Sequence, residues 1–200
     1  MNINDQINHL SLIDHLKSTL YPIEKNTITA SESHQKKAAA VLIPLVITDH
    51  QIQILFTKRT QHLHHHPGQV SFPGGRLEPS DKHLLATALR ETEEEIGVSE
   101  AKIQICGKLE NMDTISGIGF SIMPFVGVMH GPLQLKLDSF EVDEVFQVPI
   151  EFLMDHSNFQ LKSAKLRGEH REFYLIKYQN YTIWGATAAI LHNFIEKFTR

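Results

Sequence analysis

Residues Phe72 to Val98 read FPGGRLEPSDKHLLATALRETEEEIGV, a glycine turn followed by a helical pattern that ends in a dense run of carboxylates. An α-helix turns about 100° per residue, so Glu91, Glu94 and Glu95 project within about a third of its circumference, while Glu93 points away. Like charges one turn apart cost an isolated helix roughly 0.2–0.5 kcal/mol per pair, so the stripe calls for a compensating partner. A hard divalent cation with oxygen ligands is the obvious one. The competing reading is a solvated acidic face. Arg90 stands before the cluster, able to grip a carboxylate bidentately and fix its rotamer, and Gly97 stops the helix. Leu85, Leu89, Thr92 and Ile96 lie on a different stripe, which gives one helix a buried face beside a metal face. Ser80 or Asp81 is the expected N-cap.

Gly75 through Val98, ending Arg90-Glu91-Thr92-Glu93-Glu94-Glu95-Ile96-Gly97-Val98, resembles the Nudix box of the Nudix hydrolases. The resemblance implies an α/β Nudix fold with a mixed β-sheet sandwiched between α-helices. It also implies helix glutamates that bind Mg²⁺ or Mn²⁺ at a diphosphate. The interval from Gly75 to Arg90 is one residue longer than in the usual box, and the family's early glutamate falls near Asp81. Upstream, the run from Leu55-Phe56-Thr57-Lys58-Arg59 to Gly68-Gln69-Val70-Ser71-Phe72-Pro73-Gly74-Gly75 resembles the signature before the box in coenzyme A pyrophosphatases, roughly LLTxR and then GxxxFPGG. The longer box is also typical of that subfamily. Thr60 stands where Ser or Ala is usual, and His64 where an arginine often stands. Later segments around Asp113, Met123-Pro124-Phe125, Glu141 to Pro149 and Ile183 to Ala188 are similar too. The implied domain is residues 36–200, preceded by a helical extension over 1–35.

Carried onto this chain, the resemblance makes Glu91 and Glu95 metal ligands and lets Glu94 either ligate or act as base. Arg90 orients a glutamate. Lys58 and Arg59 are candidates for phosphate contacts, and Gly74 and Gly75, lacking Cβ atoms, allow close approach of backbone amides or metal. Glu141 and Glu144 are the late candidates for an auxiliary ligand or base, with Glu144 preferred. The expected reaction is hydrolysis of coenzyme A or acyl-CoA to 3′,5′-ADP and 4′-phosphopantetheine or its acyl form. The alternatives are the same chemistry on ADP-ribose, NADH, a dinucleotide or a nucleoside triphosphate, or a non-catalytic ligand-sensing module. A sensing module would be expected to have lost helix carboxylates, and here all are present.

The 200 residues, 42% of them apolar, suffice for one sizeable core without a linker. A net charge of −4 with no long basic block argues against a nucleic-acid surface. The longest apolar run, Ala38 to Ile47, is too short to span a bilayer, and no leader pattern is seen, so the expectation is a cytoplasmic protein with a small-molecule partner and no membrane contact. Cys106, the only cysteine, reads as a small apolar strand residue. His62, His64, His65 and His66 read as polar loop residues near the substrate; metal ligation by them lacks a scaffold.

Residues 3–20 carry apolar side chains at helical spacing, a helix expected to pack on the domain or on a second copy in a homodimer. Strands are expected at 41–47 and 52–57, joined at Asp49-His50-Gln51, and again within 102–109, 120–130, 145–149, 172–178 and 181–184. Gln179-Asn180 is the expected hairpin turn, and Ala186 to Phe198 a closing helix.

Overall fold

Alternation along one apolar strand separates the molecule into two layers. Strand β1 (Lys37–Thr48) turns Ala40, Leu42 and Val46 to one core and Ile43 and Leu45 to the other, as the period of two in an extended chain requires. The computed structural model describes residues 9–23, 36–48, 51–64, 66–114, 119–166 and 169–200. The expected turn at Asp49-His50, residues Ile115 to Gly117, His65 and most of segment 1–35 lie outside them.

Among the described residues, β1 is central in an eight-stranded mixed sheet, parallel to β7 (Phe120–His130) and antiparallel to β2 (Gln51–Arg59). Strands β3 (Val70–Ser71) and β8 (Val142–Pro149) join β2, while β5 (Gln104–Lys108) and β6 (Met112–Asp113) join β7. The short β4 (Gly74–Arg76) pairs with Ala39–Val41 of β1, whereas Leu45–Thr48 pair with β2. Pro44 falls at this change of partner, where its missing N–H breaks no ladder.

Helix α2 (Leu84–Ile96) covers one face of the sheet, with Leu84, Ala88, Leu89 and Ile96 against Leu42, Leu55 and Phe125. The other face is covered by α4 (Gly185–Phe198) and by α1 (His9–Thr19), whose Leu12, Ile13 and Leu16 are buried in the same core as Phe194 and Ile195. The described part of the N-terminal helix therefore packs Leu12, Ile13 and Leu16 on its own domain. His15 Nε2 lies 2.7 Å from the Phe198 carbonyl, and Tyr21 and Lys108 exchange backbone hydrogen bonds at 3.0 Å.

A second, antiparallel sheet contains β9 (Gln160–Leu166), β10 (Glu169–Tyr178) and β11 (Tyr181–Trp184), with the β10–β11 turn at Gln179-Asn180 as expected. Neither β9 nor the short α3 (Ile150–Met154) was expected. Gln160 to Lys165 are all exposed, so β9 lacks the apolar alternation that marks a strand. Among the described residues, no helix is long and apolar enough to cross a membrane.

Candidate active site

The expected N-cap is corrected: His83 caps α2, its Nδ1 accepting the Ala86 N–H at 3.0 Å. The helix begins at Leu84, beyond the reach of a cap at Ser80 or Asp81. Asp81 is instead an anchor. It accepts from Arg90 Nε and Nη2 at 2.9 and 3.0 Å, from Thr87 Oγ1 at 2.9 Å and from the Glu78 N–H at 2.9 Å. The Arg90 guanidinium holds its carboxyl down at about 2. From this anchor Arg90 fans out, with Nη1 on Glu94 Oε2 at 2.8 Å and Nη2 on Glu91 Oε1 at 3.0 Å. Its charge is spent on positioning carboxylates.

Glu95, on the same side of α2, is only 4% exposed and its Oε2 has no hydrogen-bond partner. The Gly74 N–H donates to its carboxylate. Burial first, and then the neighbouring Glu91 charge, raise its carboxyl to about 8. Burial likewise pushes Glu91 above the usual carboxylate range, against the pull of Arg90. Glu94 is the solvent-side member, its side chain 58% exposed. The glycine turn makes the cradle: a Cβ on Gly75 would collide with the Glu91 carboxylate, and Gly74, at φ 151°, is packed against Ala40 and Val41 of β1.

The C-terminal end of α2 recruits a loop that sequence spacing alone did not connect to it. Gly97, at φ 74°, donates to the Glu93 carbonyl at 2.9 Å, while Lys136 and Asp138 donate to the carbonyls of Ile96 and Glu95 at 3.0 and 3.1 Å. That path brings Glu141 into the electrostatic field of the cluster. Its charge raises both Glu91 and Glu95, and Arg59 opposes it at Glu95. Arg59 Nη1 lies 3.9 Å from Glu141 Oε2.

Lys58 and Glu144, the other two candidates, pair with each other away from the α2 cluster. Lys58 and Glu144 are register partners in β2 and β8, one alternation beyond the stacked pair Phe56 and Phe146, and so face the α4 side of the sheet. Lys58 Nζ is 2.5 Å from Glu144 Oε1, and the Tyr181 hydroxyl donates to Glu144 Oε2 at 3.1 Å. Lys58 holds Glu144 below the usual carboxylate range. Lys58 and Arg59, adjacent on β2, thus turn to different partners, Lys58 to Glu144 and Arg59 toward Glu141. In the loop that leads to β3, His62 packs on the exposed Phe140 with ring centroids 4.8 Å apart.

A hard divalent cation fits the α2 side. An unpartnered oxygen on a buried carboxylate, a second carboxylate beside it, and a turn with room for neither a Cβ nor a larger side chain are what an oxygen-ligated ion requires. Glu91 and Glu95 are the residues that would hold it, with Glu94 toward solvent.

The layered mixed sheet and acidic helix define an α/β domain of Nudix architecture. The solved structures that share it include the binary complex of a C. elegans Ap4A hydrolase, with TM-score 0.54, 16% identity, and coverage of 82% of this chain and 95% of that one. The MutT protein from Methanosarcina mazei Go1 matches with TM-score 0.51 and 19% identity over 84% of this chain and 97% of its own. The NUDIX domain family model matches residues 36–174. "Uncharacterized Nudix hydrolase NudL" of Photorhabdus laumondii is 37% identical over 165 residues, 82% of this chain and 87% of the relative. The protein of the same name from an Enterobacter species is 38% identical over 156 residues, 78% of this chain and 80% of its own. This chain belongs to the Nudix hydrolase family.

Proposed function

We propose that the chain is a divalent-metal-dependent hydrolase that cleaves the diphosphate bond of coenzyme A or an acyl-CoA, releasing 3′,5′-ADP and 4′-phosphopantetheine or its acyl form. The observation that carries the reaction class is the unpartnered Oε2 of buried Glu95 beside Glu91 in the Gly74-Gly75 cradle. The substrate rests on the resemblance of Leu55 to Gly75 to the coenzyme A pyrophosphatase signature, together with the longer Gly75–Arg90 interval.

A diphosphate is anionic and repels hydroxide, so its hydrolysis needs charge neutralisation and an aligned water. Mg²⁺ or Mn²⁺, when bound, supplies both by drawing charge from phosphoryl oxygens and lowering the pKa of a bound water. The protein's part is geometric and electrostatic. Glu91 and Glu95 hold the cation, and Arg90, tethered by Asp81, keeps Glu91 and Glu94 in place. Arg59 brings positive charge to the same side for the phosphates. Glu94 and Glu141 are the carboxylates available to take a proton from the attacking water, and Glu141 replaces Glu144 in that role.

Purified protein incubated with CoA, NADH, ADP-ribose and dATP in Mg²⁺ separates the candidate substrates. CoA species are expected to lead in kcat/KM by about tenfold or more, a margin of about 1.4 kcal/mol in transition-state binding. A tenfold preference for any of the others would replace the substrate, and no turnover of any would favour a ligand-sensing module.

A further inference from the structure

We propose that His156, His192 and Glu196 form a second cation site, one suited to Zn²⁺ and lying on the face of the sheet opposite the acidic helix. α4 carries His192 and Glu196 four residues apart, which puts both side chains on one side of the helix. A short 3-10 turn, His156–Asn158, brings the third residue across to them. His156 Nδ1 lies 3.6 Å from Glu196 Oε1, and one ligand atom from each of the three residues falls within 4.8 Å of the others.

Donors held about 2.0–2.2 Å from tetrahedral Zn²⁺ are about 3.3–3.6 Å apart, so the three need to close by at most about 1.5 Å. Side-chain rotation suffices, because the side chains of His156 and Glu196 are 51% and 47% exposed. His192 is already set. Its ring stacks on Tyr174 at 4.3 Å and 9°, and meets Phe159 edge-on at 5.4 Å, so it gives up little freedom on ligation. Asp155 Oδ1 accepts the Ser157 N–H at 3.0 Å and fixes the turn that presents His156.

The chemistry separates the two centres. Two imidazoles and one carboxylate select borderline ions such as Zn²⁺ and Co²⁺, while the all-oxygen set on α2 suits Mg²⁺ and Mn²⁺. Three protein donors leave a fourth position to solvent. Bound there, the ion links the connection between α3 and β9 to the closing helix.

The test uses the full chain in excess Mg²⁺, which occupies the acidic centre. Calorimetry with Zn²⁺ is expected to show one equivalent bound at micromolar Kd or tighter. Co²⁺ is expected to give the intense visible absorption of four-coordinate, nitrogen-containing sites, absent from octahedral oxygen sites. His156→Ala, at an exposed turn, and Glu196→Gln, nearly isosteric, are each expected to weaken Zn²⁺ by about tenfold or more without changing Mg²⁺-dependent turnover. The site is overturned if the wild type takes up no Zn²⁺ in excess Mg²⁺, or if either variant keeps wild-type affinity. In that case the cluster is a surface ion pair beside an aromatic stack.

Discussion

Glu95 is the residue whose environment is least comfortable without a cation. Its carboxyl titrates near 4.5 when unfolded and at about 8 when folded, so between those values the native state holds a proton that the unfolded chain releases. The Glu95 contribution to metal-free stability is therefore fully present below pH about 4.5, declines as pH rises to about 8 and levels off above it. Denaturant titrations of chelator-treated protein across that range are expected to show the decline, and a flat profile would remove Glu95 as its source. Asp81 has the opposite sign. Depressed from 3.8 to about 2, it contributes stability that is present above 3.8 and lost as pH falls through about 2. Asp81→Asn should release Arg90 and lower kcat by about 10- to 100-fold with KM little changed; an unchanged kcat in a folded variant would make Asp81 a purely local brace. Gly75→Ala should drive Glu91 out of the cradle and weaken Mn²⁺ binding by about tenfold, read by calorimetry. That Glu91 and Glu95 share a helix side was legible from the 3.6-residue period. That Lys58 and Arg59 do not share a sheet face was also legible, from strand alternation, but the reading grouped them by adjacency. Glu141 was not separable from Glu144 in sequence, because the choice depends on a loop path fixed by backbone bonds to the end of α2.

At the scale of elements, legibility followed burial. β1, β2, α2 and α4 each bury one or both faces, and their apolar periods marked them. β9 and the five-residue α3 left little pattern, the first through exposure and the second through length. α1 was readable as an amphipathic helix, but where its stripe goes depends on tertiary contacts with β5 and α4 that no local pattern encodes. Those contacts carry a prediction: Leu16, fully buried, should cost about 2–4 kcal/mol on Leu16→Ala. Chemical denaturation checks it. A loss below about 1 kcal/mol would mean that the helix contributes little to the core.

For the whole molecule, the sheet acts as a partition. On the α2 face lie Glu91, Glu94, Glu95, Arg59 and Glu141; on the α4 face lie the Lys58–Glu144–Tyr181 network and the His156, His192 and Glu196 cluster. The family fold was legible from one motif because the glycine turn, the helix and the strand beneath them form a single packed unit. The division of labour between faces was not, since it emerges only when distant strands pair. The most direct test of a cation centre built on Glu95 is calorimetric titration of Mn²⁺ into wild type and Glu95→Gln at pH 8. Tight binding with proton release is expected for the wild type, and at least about a tenfold loss of affinity, without that release, for the variant. Equal affinity in the two proteins would contradict it.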